Sequence, residues 1–353
     1  MSDPAPLLQV ENLNVRFPTD DGIVHAVRGV SYTLSPGEVL GIVGESGSGK
    51  SVTSLAVLGL LPPSARINGS IRLRGEELIG RDDKYMSKVR GRSIAMVFQD
   101  PMTSLNPVYR IGSQLAEAIR AHRSDASDDE VKKRSIELLE MVGIPNASAR
   151  VNDYPHEFSG GMRQRVVIAI AMANEPDIII ADEPTTALDV TVQAQVLDTL
   201  KTAQAETQAA IVLITHDLGV VAGMADRVLV MYAGRPVEIG DVDDIYYRPR
   251  MPYTVGLLGS LPRPDQGAGQ RLTPIQGSPP SLLHLPPGCP FTPRCPMRQE
   301  DCSQSEPELL AVDGIDHRAA CHHSDELVQR DEVVPSEIFE ATASDTAEPE
   351  VQS

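Results

Sequence analysis

Gly44-Glu-Ser-Gly-Ser-Gly-Lys-Ser51 decides the fold. It fits G-x-x-x-x-G-K-[ST], the pattern of a phosphate-binding loop. The residues before it, from Glu38 to Val43, are apolar and β-branched, as a buried strand requires. The residues after it, Ser51 to Leu58, predict a helix with leucines on one face. Strand, glycine-rich turn and helix together give the motif its meaning. Gly44, Gly47 and Gly49 let backbone N–H groups turn inward around an anion, with Glu45, Ser46 and Ser48 filling the turn. The helix N-terminus adds partial positive charge. Lys50 is placed to reach the outer phosphates of a nucleotide, and the Ser51 hydroxyl to ligate Mg²⁺.

Working outward, three more apolar strands end in polar residues. Arg92 to Phe98 runs into Gln99; Asp177-Ile-Ile-Ile-Ala-Asp182 runs into Glu183; Ile211-Val-Leu-Ile-Thr runs into His216. Ligand groups gather at such strand tips in α/β sheets. Asp182, beside a phosphate loop, is placed to hold Mg²⁺ through water. Glu183 is placed to polarise an attacking water as general base, and His216 to contact the γ-phosphate. A second anion-ready helix start lies at Phe158-Ser-Gly-Gly-Met-Arg-Gln-Arg165. There Ser159 is a good N-cap, and Gly160 and Gly161 free the backbone amides ahead of Met162.

The remaining pattern sorts into subdomains. Leu8–Val10, Leu13–Val15 and Val24–Leu34 alternate apolar and polar residues, as in an antiparallel sheet covered on one face. Phe17 sits among them, open both to stacking on a base and to plain packing. From about Leu105 to Val142 the period turns helical. No apolar run reaches the ~18 residues that span a bilayer, and the N-terminus lacks a basic start and a long apolar run. The expectation is a cytosolic protein that meets a membrane only through partners. The net charge is −18, and −8 of it falls on residues 324–353, a stretch that reads as an acidic disordered tail. An acidic body with no Trp argues against nucleic acid as a partner.

The order GESGSGKS, Gln99, FSGGMRQR, IIIADEP, Ala187-Leu-Asp189 and Thr215-His-Asp217 resembles the ATP-binding cassette ATPases of ABC transporters over roughly residues 7–240. Six such elements in one order are far more specific than any one of them. The resemblance implies an α/β fold of the P-loop NTPase ABC cassette type, with a RecA-like mixed core sheet, an antiparallel β subdomain and a helical subdomain at about 104–158. It implies ATP and Mg²⁺ as ligands. Gln99 would be a lid glutamine that also meets the Mg²⁺, and Ser159 to Met162 a signature loop. Asp182 would be the Walker B aspartate, Glu183 the catalytic glutamate, Asp189 the D-loop aspartate and His216 the switch histidine. Phe17 matches the aromatic that stacks on adenine. Met162 departs from the commonest signature, which has Gln there. The implied partner is a second cassette, identical or homologous, in a head-to-tail dimer in which each ATP lies between one phosphate loop and the other subunit's signature loop.

MVFQDPMTSLNP (96–107), FSGGMRQRV, PYTVGLLGSLP (252–262) and GCPFTPRCP (288–296) resemble, more narrowly, the ATPase subunits of oligopeptide and dipeptide permeases, with nickel importers as close relatives. That implies two transmembrane permease subunits, an extracytoplasmic substrate-binding protein and a peripheral place on the cytoplasmic face of the cell membrane. A soluble ABC ATPase acting on ribosomes or DNA is the competing class, but one cassette without sustained heptads argues against it. The segment 241–323 reads as a small C-terminal extension. It holds all four cysteines, Cys289, Cys295, Cys302 and Cys321, spaced C-x5-C-x6-C-x18-C. In a cytosolic protein this clustering favours metal over disulfides. A tight zinc knuckle is missing, and the spacing leaves a [4Fe–4S] cluster, Zn²⁺ or reduced thiols open. Some members of the resembled family carry [4Fe–4S] in this segment.

Overall fold

The computed structural model describes residues 5–186, 188–261, 274–314, 316–328 and 339. Two sheets carry the fold. The smaller is antiparallel, ordered β2-β1-β4-β5, from β1 (Leu8–Thr19), β2 (Gly22–Leu34), β4 (Arg66–Leu73) and the two-residue β5 (Glu76–Glu77). Leu8, Val10, Leu13 and Val15 of β1 are buried while Glu11 and Arg16 face out, as its alternating sequence predicts.

The larger sheet has eight strands, ordered β11-β12-β10-β9-β3-β8-β7-β6. Its centre is parallel: β3 (Val39–Val43), β8 (Ala210–Thr215), β7 (Ile178–Asp182) and β6 (Ile94–Val97), with β9 (Arg227–Tyr232) on the other side of β3. Successive residues serve two cores. Val39 and Val43 of β3 with Ile211 and Leu213 of β8 pack on one face; Leu40, Ile42, Val212 and Ile214 pack on the other. Strands covered on both faces must be apolar throughout, which explains their continuous Val/Ile/Leu runs.

The phosphate-loop helix α1 (Lys50–Val57) and the small sheet cover the second face. The helical subdomain follows β6. After α2 (Asp83–Val89), which precedes that strand, come α3 (Pro101–Ser104), α4 (Ile111–Arg120), α5 (Asp128–Met141) and α6 (Ala147–Arg150). A complete capping box, Ser127 with Glu130, starts α5. Helices α7 (Gly160–Ala171) and α8 (Val190–Thr207) return to the first face, and α9 (Leu218–Ala222) follows β8.

The C-terminal part does not stand apart from the cassette. After β10 (Arg235–Asp241), α10 (Val242–Tyr247) and α11 (Pro252–Gly259), two short strands, β11 (Leu310–Asp313) and β12 (His317–Ala319), extend the large sheet through β10. One expectation is corrected here. The acidic stretch from 324, read as disordered throughout, begins with helix α12 (Ser324–Val328). Leu327 is fully buried and Phe339 nearly so. Two large apolar side chains supply burial that the charge-rich composition hides. The rest of that stretch lies outside the described residues. Among the described residues no helix is long and apolar enough to cross a membrane.

Candidate nucleotide site

The loop between β3 and α1 is built on two glycines that no other residue can replace. Gly44 has φ +151°, and a Cβ there would lie 2.2 Å from the Met231 carbonyl oxygen. Gly49 has φ +99°, and its Cβ would lie 2.4 Å from that of Ala26. Lys50 is 5% exposed, and its Nζ donates to the carbonyls of Gly44 at 2.6 Å and Glu45 at 2.9 Å. Burial lowers the Lys50 pKa, while Glu183, Asp182 and Glu45 pull it the other way. The first turn of α1 carries no acidic residue, so its N-terminal dipole is uncompensated from within.

A cavity of about 910 Å³ opens over this loop, within the range of ligand sites. Residues 45–52 line it together with Gln99, Glu183 and His216. The register of the parallel strands explains the meeting: β3, β6, β7 and β8 run the same way, so their C-terminal tips share one edge. Ser51 Oγ donates to Asp182 Oδ1 at 3.0 Å. Burial raises the Asp182 pKa, opposed by that hydrogen bond. These hard oxygens, at the phosphate end of a helix, suit Mg²⁺.

Glu183 has φ +47°, a left-handed conformation rare for a non-glycine residue. Its N–H donates to the Ile214 carbonyl at 2.8 Å, which fixes that conformation against β8. Three groups converge on its Oε2: Gln99 Nε2 at 3.1 Å, Thr186 Oγ1 at 2.8 Å and His216 Nδ1 at 3.5 Å. The carboxylate is thus aimed and still faces the cavity. Thr186 was not singled out from sequence, although its place three residues after Glu183 lets its hydroxyl reach back.

The other candidates lie elsewhere. Phe17 is half-buried, pairs with Val24 and packs on the core under the small sheet, and does not line the cavity. Ser159 caps α7, its Oγ accepting from the Met162 N–H at 3.3 Å, and Met162 packs on the first core face. Gly160, Gly161 and Met162 do not line the cavity either. Asp189 caps α8, accepting from the Val192 N–H at 3.0 Å. Sequence patterns also missed the far wall, where Leu257, Ser260, Pro274, Ile275, Pro279 and Leu282 of the C-terminal part meet the cavity. No local signal marks those residues.

The four thiols are free and line one small cavity, with Phe291, Met297, Pro307, His322 and His323 among its other walls. Burial pushes Cys295 and Cys321 up to about 12 and raises Cys289. Among the described residues, the ligand-type atoms of Asp301, Cys302 and His323 lie within 4.8 Å of one another beside this cavity.

The described family "ABC transporter" matches residues 27–186, and "Oligopeptide/dipeptide transporter, C-terminal region" matches residues 237–302. The chain is 55% identical to the dipeptide transport ATP-binding protein DppD of Bacillus subtilis, over 85% of this chain and 90% of that protein. It is 59% identical to the oligopeptide transport ATP-binding protein OppD of Mycobacterium tuberculosis, over 90% of this chain and 52% of that protein. The chain thus spans about half the length of that mycobacterial relative. Among solved structures, a dimeric ATP-binding cassette in a post-hydrolysis state bound to ADP and Pi aligns at a TM-score of 0.60 and 29% identity, covering 67% of this chain and 98% of that one.

Proposed function

This chain belongs to the ABC transporter family, in its oligopeptide/dipeptide branch, and from that premise we propose that it is the ATP-hydrolysing subunit of a peptide importer. The observation that carries the reading is the convergence on Glu183 Oε2: a carboxylate aimed by Gln99, Thr186 and His216 into the cavity that the phosphate loop floors. Lys50 and the α1 N-terminus would bind the phosphates. Ser51 and Asp182 would hold Mg²⁺, which when bound supplies charge neutralisation. Glu183 would take the proton of a water attacking the terminal phosphoryl group. Its hydrogen bonds from Gln99 and Thr186 keep it oriented for that transfer.

The signature residues Ser159 to Met162 lie outside the cavity, which suits a site completed by a second cassette in head-to-tail arrangement. A similar cassette solved as a dimer supports assembly with a second copy. Two membrane permeases and an extracytoplasmic binding protein complete the proposed assembly, with this chain peripheral on the cytoplasmic face. We further propose a [4Fe–4S] cluster on Cys289, Cys295, Cys302 and Cys321. Four cysteines around one small cavity support it, and the lack of a tight C-x2–4-C knuckle in their spacing favours a cluster over zinc. Thiols this buried ionise when a cation compensates their charge.

The importer reading is tested by reconstituting the chain with its partner subunits in proteoliposomes. Di- or oligopeptide with binding protein should stimulate ATP hydrolysis and peptide uptake; stimulation by nickel instead would reassign the substrate. The cluster is tested by anaerobic purification. Bound iron and broad absorbance near about 400 nm are expected, and colourless, iron-free protein would remove the cluster and leave the ATPase standing.

A further inference from the structure

The phosphate loop contains an acid where a polyphosphate must sit. Glu45 lines the same cavity as Lys50 and Ser51, and its charge reaches Lys50. Lys50 engages the Glu45 carbonyl, not its carboxylate. The carboxylate is instead held from far along the chain. Arg294 Nη1 meets Glu45 Oε2 at 2.6 Å and Arg294 Nη2 meets Oε1 at 2.8 Å, a bidentate pair.

The arginine is built into place. Its side chain is 4% exposed; Nε donates to the Gln276 carbonyl at 3.1 Å, and Nη1 also to the Tyr232 hydroxyl at 3.3 Å. The Glu45 N–H donates to the Tyr253 hydroxyl at 2.9 Å, and Tyr253 packs against Phe291, three residues before Arg294. The same segment therefore grips both the backbone and the carboxylate of Glu45.

We infer that Arg294 of the cysteine-bearing segment is a positioning residue for the phosphate loop, neutralising Glu45 so that a polyphosphate can bind beside it. The inference rests on the reading of Gly44 to Ser51 as the nucleotide's phosphate site. An unpaired carboxylate at that edge repels an incoming anion and is free to turn onto Lys50. The fork geometry matters as well as the charge, because one planar guanidinium fixes both carboxylate oxygens.

The test is equilibrium binding of a fluorescent ATP analogue with Mg²⁺ to the full chain, with a melting temperature taken for each variant. Arg294→Gln should weaken binding about 10- to 100-fold, more at low salt. Arg294→Lys, which keeps the charge, should recover part of the loss. The double variant Glu45→Gln/Arg294→Gln should recover most of it, because the charge to be neutralised is gone. Arg294→Gln binding like wild type, or a double variant as weak as Arg294→Gln, would overturn the inference and leave Arg294 as a brace for its own segment. If Arg294→Gln does not fold, Arg294→Lys and the double variant decide: both within about tenfold of wild type supports the inference, and a double variant weaker than that overturns it. Lys50→Ala tests the underlying phosphate site separately, since wild type and Lys50→Ala binding alike would remove that site and not the Arg294 pairing.

Discussion

The Gln99 side-chain amide donates to Glu183 Oε2 at 3.1 Å, tying the end of β6 to the end of β7. Gln99 leads into α3 and the helical subdomain, whereas Glu183 directly follows the last residue of β7 in the large sheet. A single hydrogen bond thus joins the proposed general base to the entry of the helical subdomain. A rotation of that subdomain would move the amide on which the carboxylate leans.

Glu183→Gln keeps the volume and can keep the Thr186 contact, but it removes the proton acceptor. Hydrolysis should fall by about 10²- to 10⁴-fold, with nucleotide affinity close to wild type and an ATP-dependent dimer visible by size-exclusion chromatography. Hydrolysis at the wild-type rate would mean that another group accepts the proton.

Asp182 is buried, and burial holds its carboxyl above the usual carboxylate range. The folded, nucleotide-free protein therefore binds that proton more tightly than the unfolded chain does. The cost of the ionised form is fully present above the folded pKa and is relieved as the pH falls through it. Asp182→Asn keeps an acceptor for Ser51 and removes this cost. Its melting temperature without nucleotide should rise at neutral pH by about 2–4 °C, with the gain shrinking in weak acid, while Mg²⁺-dependent binding is lost. An unchanged or lower melting temperature at neutral pH would show that Lys50 needs the charge more than burial penalises it.

Helices α7 and α8 touch through Gly161. A Cβ there would lie 2.3 Å from Val192 Cγ1, closer than side chains approach. Gly161→Ala should destabilise by about 1–3 kcal/mol through overpacking, and Val192→Ala in the same chain should return most of it. Denaturant melts of the two single variants and the double decide the point. Additive losses would place the strain elsewhere.

The candidate nucleotide site is legible in the sequence because its parts are local. A glycine-rich turn, a carboxylate at a strand tip and a capped helix each announce themselves within about ten residues, and the parallel register brings the tips together. What could not be read is what the chain does at long range. Glu45 and Arg294 are 249 positions apart, and nothing near Arg294 marks it as the partner of the loop. Strands β11 and β12 are four and three residues long, too short for a period. Leu327 and Phe339 vanish in a stretch whose composition is dominated by acids, yet each is buried. Phe17 keeps both readings that its sequence left open: its position matches a base-stacking aromatic, and its half-buried side chain packs in part on the core under the small sheet.

The Glu238 and His317 side chains are both 0% exposed, and the Glu238 carboxylate joins three pieces of chain directly. Its Oε1 accepts from the Arg250 N–H at 2.5 Å and meets His317 Nε2 at 2.9 Å; its Oε2 accepts from the Met251 N–H at 3.2 Å. Arg250 in turn donates to the Leu327 carbonyl at 3.1 Å. Strand β10 is thereby bound to β12, to the start of α11 and, through Arg250, to α12. Glu238→Ala should cost about 3–5 kcal/mol, because it strands several buried donors, and Glu238→Gln should cost less, since one acceptor oxygen remains. The loss should also reach the phosphate loop. Tyr253 lies two residues after Met251 and holds the Glu45 N–H, so a loosened start of α11 should weaken nucleotide binding as well as stability. Denaturant melts and the fluorescent-nucleotide titration measure the two effects. A Glu238→Ala protein within about 1 kcal/mol of wild type would mean that the backbone donors find water, and that β10 is held to the C-terminal part by its sheet pairing alone.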